Sequence, residues 1–173
     1  MITRRRFLAA GAIGTAALAT AGWWAWSRRS GPSAGARALS PDALAIVTAI
    51  VPAMLAGALP ADASARSTAI TETVAGVDEA VAGLPPAAQT ELGQLFALLM
   101  LPPARRAFAG VASPWEEASV DEVAAFLDRW HDSRWTLKRS AYDALHQLIV
   151  AAWYGNPRSW TAIGYDGPPQ LGA

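Results

Sequence analysis

The side chains with the most catalytic reach are few and scattered. His131 and His146 are the only histidines. Their spacing lacks the His-Glu-x-x-His pattern that sets two imidazoles on one helix face around zinc. Glu116-Glu117 and Asp121-Glu122 are acidic pairs, and paired carboxylates can pass protons to and from a substrate. No nucleophile–base partner accompanies them. A solvated connector explains the first pair, and helix-start electrostatics the second. There is no cysteine, which excludes disulfides, thiolate metal sites, iron–sulfur clusters and haem attached through Cys-x-x-Cys-His. Gly11-Ala12-Ile13-Gly14 lies in an apolar leader and is no phosphate loop. No Walker sequence, dinucleotide fingerprint or Gly-x-Ser-x-Gly elbow occurs. The expectation is a chain with no catalytic, cofactor-binding or metal-ligating residue of its own.

The remaining chemistry is recognition, and it sits at the two ends. Near the start, Thr3-Arg4-Arg5-Arg6-Phe7-Leu8-Ala9 looks like a bacterial twin-arginine export signal, departing from the usual Ser/Thr-Arg-Arg-x-Phe-Leu-Lys only at Ala9. The candidate signal residues are Thr3, Arg4, Arg5, Phe7 and Leu8. An uncharged, alanine-rich run with Gly11, Gly14 and Gly22 follows as far as Trp26, and Arg28-Arg29 come after it. The implied route is the twin-arginine translocase and the implied location the periplasm. Small-x-small sites at Ala19-Thr20-Ala21 and Ala34-Gly35-Ala36 allow cleavage. Residues 7–26 are also long enough, at about 1.5 Å per residue, to stay in the inner membrane as an anchor. Both outcomes stay open.

At the other end, Trp153-Tyr154-Gly155-Asn156-Pro157-Arg158-Ser159-Trp160-Thr161-Ala162-Ile163-Gly164-Tyr165-Asp166-Gly167-Pro168-Pro169 has too many aromatics, glycines and prolines for a helix interior. An extended or turn-rich tail is expected, either folded back on the domain or set into a partner interface, where Trp, Tyr and Arg often anchor binding. The two uses are compatible.

Between these ends the pattern is helical throughout. Residues 1–26 form the leader, 27–39 a linker, 40–155 a helical domain and 156–173 the tail. Ser40-Pro41-Asp42 opens a first helix, carrying Leu44, Val47, Ile50, Val51, Met54 and Leu55, with a kink or early end expected near Val51 because of Pro52. After a turn over 57–62, a second helix is expected over 67–81 and a third over 86–100. The third has few charges, which predicts a central position. Pro102-Pro103 breaks it before a short helix near 104–108. Ser119 to Glu122 reads as a capping box opening a helix to His131 with Val123, Phe126, Leu127 and Trp130 inward. A last helix from about Trp135 to Trp153 has Leu137, Ala141, Tyr142, Leu145, Leu148, Ile149 and Ala152 inward, and Gly155 is its expected C-cap. Trp115, Trp130, Trp135, Trp153 and Trp160 are expected to serve the core, and Arg105-Arg106 and Lys138-Arg139 to be solvated. No two-residue alternation is seen. The fold class is all-α: an irregular bundle of five or six helices with a signal or anchor helix before it and an extended tail behind.

Composition fits that reading. Residues 1–36 carry five arginines and no acid, so residues 37–173 hold nine basic and fourteen acidic groups. A mildly acidic domain lacks the basic face that phosphates require, so no nucleic-acid partner is expected. With 53% apolar residues among 173, the chain can bury a modest core.

The tail resembles the gluconate 2-dehydrogenase subunit 3 family. The family pattern is an aromatic pair, a proline, a tryptophan and Ile/Leu-Gly-Tyr-x-Gly-Pro-Pro, matched here by Trp153-Tyr154, Pro157, Trp160 and Ile163 to Pro169. The helix containing Ile50-Val51-Pro52 is similar to the family's first helix, more weakly. The resemblance implies a small, non-catalytic subunit accompanying a flavin-dependent glucose–methanol–choline oxidoreductase. FAD would sit in the large subunit, and a cytochrome c would often take the electrons. The small subunit would support the maturation of the large one and carry it out as a hitchhiker on its own signal. Partner-binding residues implied by the match are Trp153, Tyr154, Pro157, Trp160, Gly164, Tyr165, Gly167, Pro168 and Pro169. Alternative readings are a membrane-anchored periplasmic scaffold or a small helical enzyme.

Overall fold

A computed structural model describes residues 37–160 and 164–166. The chain divides into Met1–Ala36 and Arg37–Ala173. All the described residues lie in the second unit, so the signal residues Thr3, Arg4, Arg5, Phe7 and Leu8 and the run 7–26 lie outside them.

The described part is all-helical. Seven α-helical segments and one π-helical turn follow one another: α1 Pro41–Met54, α2 Ala63–Ala82, α3 Pro86–Met100, α4 Pro102–Ala104, the π-turn Arg105–Ala109, α5 Val120–His131, α6 Thr136–Gly155 and α7 Pro157–Trp160. Among these residues no helix is long and apolar enough to cross a membrane.

α1 is the centre of the bundle. After Asp42 it has no charged residue, and Ile46, Val47, Ile50 and Val51 are at most 1% exposed. It touches α2, α3, α5 and α6. This corrects the expectation that α3 would be central: α3 buries Leu92, Phe96, Ala97 and Leu99, while Thr90, Glu91 and Gln94 on its other flank are exposed. Ser40 caps α1 by accepting from the Ala43 N–H at 3.2 Å. The helix runs two residues past Pro52. The carbonyl that Pro52 leaves unmatched belongs to Thr48, which is exposed, so water can serve it and the cost of the proline stays low.

α2 starts four residues earlier than its apolar pattern suggests, because Asp62 caps it by accepting from the Ala65 N–H at 2.8 Å. α2 and α6 approach closely: a Cβ placed on Gly76 would lie 3.1 Å from the Ala152 Cβ.

The bounds of α3 and α5 match the expected ones. Ser119 caps α5 as expected, accepting from the Glu122 N–H at 3.2 Å. The second half of the capping box is not made. Glu122 instead reaches back ten residues and accepts from the Ala112 N–H at 2.6 Å and the Ser113 N–H at 3.3 Å. Its carboxyl is held below the usual range, first by the Ala112 bond and against a desolvation cost, with Arg105 adding a smaller attraction. These bonds fix the connector 111–118 and seat Trp115 in the core, where its Nε1–H donates to the Leu99 carbonyl at 3.0 Å. Trp115, Phe126 and Trp130 then stack edge to face at 5.8 and 4.8 Å. Burying Val123, Phe126, Leu127 and Trp130 contributes roughly 1.5–3 kcal/mol each.

The π-turn ends at Gly110, whose φ of 66° is left-handed. Its last carbonyls collect donors from two other helices. Phe108 O accepts from Trp130 Nε1 at 2.9 Å and from Lys138 Nζ at 3.0 Å, and Ala109 O accepts from Arg129 Nη2 at 2.7 Å. Cations at a helical C-terminus complement its partial negative charge.

Candidate functional site

The tail begins at the end of α6. The helical period carries the core face through Leu145, Ile149 and Trp153, all buried. Trp153 is therefore a core residue at 4% exposure, as expected of the tryptophans. The next residue turns outward, and Tyr154 is 42% exposed. Gly155 does not cap α6 in the left-handed form. The cap is Asn156 in extended backbone.

Pro157 then starts α7, a single helical turn within the tail expected to be extended or turn-rich. Asn156 builds this turn in two directions. Its Oδ1 accepts from the Arg158 N–H at 3.0 Å, and its carbonyl accepts from the buried Ser159 hydroxyl at 2.8 Å. Its Nδ2 donates across to Glu72 Oε2 of α2 at 2.9 Å, and the same oxygen pairs with Arg158 Nε at 3.1 Å. Glu72 is thus the latch that fixes where the tail leaves the bundle.

Beyond the latch, Trp160 Nε1 donates to the Tyr154 carbonyl at 2.8 Å. The Tyr165 N–H donates to the Trp160 carbonyl at 3.0 Å. The two rings meet edge to face at 5.2 Å, and Gly164 turns the chain between them with φ 68°. Tyr154, half-buried Trp160 and Tyr165 (46% exposed) present aromatic surface beside the exposed Pro157 and Arg158. Ile163, Gly167, Pro168 and Pro169 lie outside the described residues.

The histidines meet a shared neighbour rather than each other. The Tyr142 ring lies 4.9 Å from His131 and 5.8 Å from His146. His131 Nδ1 is 2.9 Å from Asp132 Oδ1. Partial burial, then Asp128, Asp143 and Asp132, push the Tyr142 hydroxyl above the usual tyrosine range. Among the described residues, no three His, Cys, Asp or Glu side chains gather where they could hold a metal ion.

Two basic residues expected to be solvated are engaged. Arg105 is buried at 6% exposure, with Nη2 3.4 Å from the Ala112 carbonyl and Nε unbonded. Lys138 lies 5.6 Å from the Phe108 ring and 5.5 Å from the Trp135 ring. Two apolar residues expected inside are outside: Trp135 is 64% exposed and Leu137 73%. Trp135 is the N-cap of α6, and Leu137 stands on its first turn.

Leu137 opens an apolar groove of about 440 Å³ between α3 and α6. One wall is formed by Ala88, Leu92 and Leu95, and the other by Leu137, Ala141, Ala144, Leu148 and Ala151, with Glu91, Ser140 and Gln147 along its length. The sequence reading missed this groove. Its leucines and alanines recur at helical spacing and so look like core, and nothing local says that α3 and α6 stand apart. No family model, curated protein or solved structure matches this chain.

Proposed function

We propose that this chain is a non-catalytic accessory subunit. It docks on the large subunit of a flavin-dependent alcohol or sugar dehydrogenase, supports its maturation and carries it through the twin-arginine translocase to the periplasm. The observation that carries the reading is the tail pattern from Trp153 to Pro169, found in one chain with the twin-arginine stretch Thr3 to Leu8. The all-helical domain is compatible with it, and so is the aromatic group of Tyr154, Trp160 and Tyr165 at the end of α6. In this reading FAD belongs to the large subunit, a cytochrome c is a further partner, and residues 7–26 touch the membrane if they are not removed.

The test is co-expression with a signal-less flavin dehydrogenase encoded beside this chain. The complex should co-purify, and replacing Arg4 and Arg5 together by lysine should leave both proteins in the cytoplasm. Export of the large subunit unchanged by that substitution, with no complex recovered, refutes the proposal.

A further inference from the structure

We propose that the groove between α3 and α6 receives an amphipathic helix of the partner protein, bearing a lysine or arginine opposite Glu91. This deepens the accessory-subunit reading and rests on it for the identity of the partner. The first argument is the spacing of the groove wall. Leu137, Ala141, Ala144, Leu148 and Ala151 follow one another by four, three, four and three residues. That is the a/d spacing of a helix seam. It lies beside the face that α6 buries in its own core, Leu145, Ile149 and Trp153, and its members Ala141 and Leu148 also touch that core along one edge. The seam covers fifteen residues, Leu137 to Ala151, whose fourteen steps make about 21 Å at 1.5 Å rise per residue. Three of its five members are alanines, which let another backbone come close. Ala88, Leu92 and Leu95 face it from α3. Two such walls with a slot between them describe the seat of a third helix, the helix-in-groove mode of recognition.

The second argument is charge. Among the described residues Glu91 is the only ionic one lining the groove, and it is exposed and makes no ion pair with any of them. A cation on the incoming helix would answer it. An alkyl chain would offer Glu91 no such partner. In a second copy of this chain the outer faces of α2 and α5 are polar, carrying Glu72 and Glu79 and Asp121 and Asp128, and the one apolar seam among the described residues is that of α6 itself, a pairing that the test below reads as a dimer.

The test uses full-length protein in nanodiscs of zwitterionic lipid and two fluorescein-labelled peptides of about 18 residues, long enough to cover the seam as a helix. Both peptides carry leucines at the four-three spacing; one has a central lysine and the other a central glutamate. Fluorescence anisotropy should show the lysine peptide binding about threefold tighter, the size expected of a partly exposed ion pair, and Glu91→Gln should erase the difference. Ala144→Arg fills the slot from a half-exposed position with a good helix former, and should weaken binding about tenfold, as loss of a central contact does. Leu137→Ser, at a residue 73% exposed, should weaken it without touching the core.

Failure of the lysine peptide to bind, or binding indifferent to both variants, overturns the proposal. So does displacement by palmitate of a probe that the peptides leave in place, which would mark an acyl-chain site. So does a dimer in light scattering that Ala144→Arg dissolves, which would mark a second copy. Co-purification separates the two levels. A large-subunit complex that survives Ala144→Arg and Leu137→Ser sinks the groove and spares the accessory reading. Absence of any complex with the unaltered chain sinks the accessory reading, and the peptides then decide the groove alone.

Discussion

Replacing Glu72 by alanine should release the tail from the bundle without melting the domain. The carboxylate makes two contacts, with Asn156 Nδ2 at 2.9 Å and with Arg158 Nε at 3.1 Å, while its own side chain is 33% exposed and that of Arg158 66%. A hydrogen bond to a charged group contributes about 1.5–3 kcal/mol in a dry setting, so about 1 kcal/mol is reasonable at this exposure. The screened ion pair adds about 0.5 kcal/mol. The sum, about 1.5 kcal/mol, corresponds to a tenfold change in the opening equilibrium of α7. Limited trypsin digestion reads this directly, because Arg158 is itself a cleavage site within the segment released. Cleavage after Arg158 should accelerate about tenfold in Glu72→Ala, while the cost to global stability should not exceed the same 1.5 kcal/mol. Glu72→Gln keeps an acceptor for Asn156 and loses the ion pair, so its acceleration should be about threefold. Cleavage in Glu72→Ala within twofold of the unaltered protein would refute the latch. So would an equal acceleration in Glu79→Ala, which changes the same helix away from the tail.

Trp115→Phe removes a buried N–H from the Leu99 carbonyl and leaves a void of about 40 Å³, so urea unfolding should show a loss of about 2–3 kcal/mol. Gly110→Ala should cost about 2–3 kcal/mol by thermal or urea unfolding. It places a side chain at φ 66° and sets a Cβ 2.6 Å from Arg129 Nη2, which then loses its bond to Ala109. Glu122 has a lowered carboxyl pKa in the folded state. Its stabilising contribution is present above the unfolded value near 4.5 and is lost as the pH falls through the lower folded value. Unfolding midpoints measured from pH 7 down to 3 should therefore fall less steeply in Glu122→Gln, by under about 1 kcal/mol since the group lies near solvent.

The parts of this fold that were legible in the sequence are those set by local chemistry. Pro86 and Ser119 open α3 and α5 where their capping and proline signals say. The inward set Val123, Phe126, Leu127 and Trp130 is a narrow stripe with charges all round it, so its period is unambiguous. α6 was harder, because it carries two apolar stripes. Ala141 and Leu148 pack on the core beside Leu145 and Ile149 as their spacing says, but periodicity also draws in Leu137, which is exposed. Arg105 was misplaced for a related reason. An arginine beside a second arginine looks solvated, and its burial depends on how Ala112, seven residues further on, is held by Glu122. In the candidate site, Tyr154, Trp160 and Tyr165 were legible because aromatics among glycine and proline have no helical explanation. The latch was not, since nothing local joins Glu72 to residues more than eighty positions away.

The donors gathered at Phe108 and Ala109 also bear on the order in which the domain assembles. They come from positions 20 to 30 residues downstream, a short loop to close. The π-turn, α5 and the start of α6 can therefore organise among themselves as soon as Lys138 has been synthesised. The seam between α2 and α6 cannot, because Gly76 waits for Ala152. The bundle closes only when the last turn of α6 has emerged, and α7 with its aromatic pair follows immediately behind. Under the proposed function, a partner that reads Tyr154, Trp160 and Tyr165 as one surface would thus meet a domain whose helices have already closed.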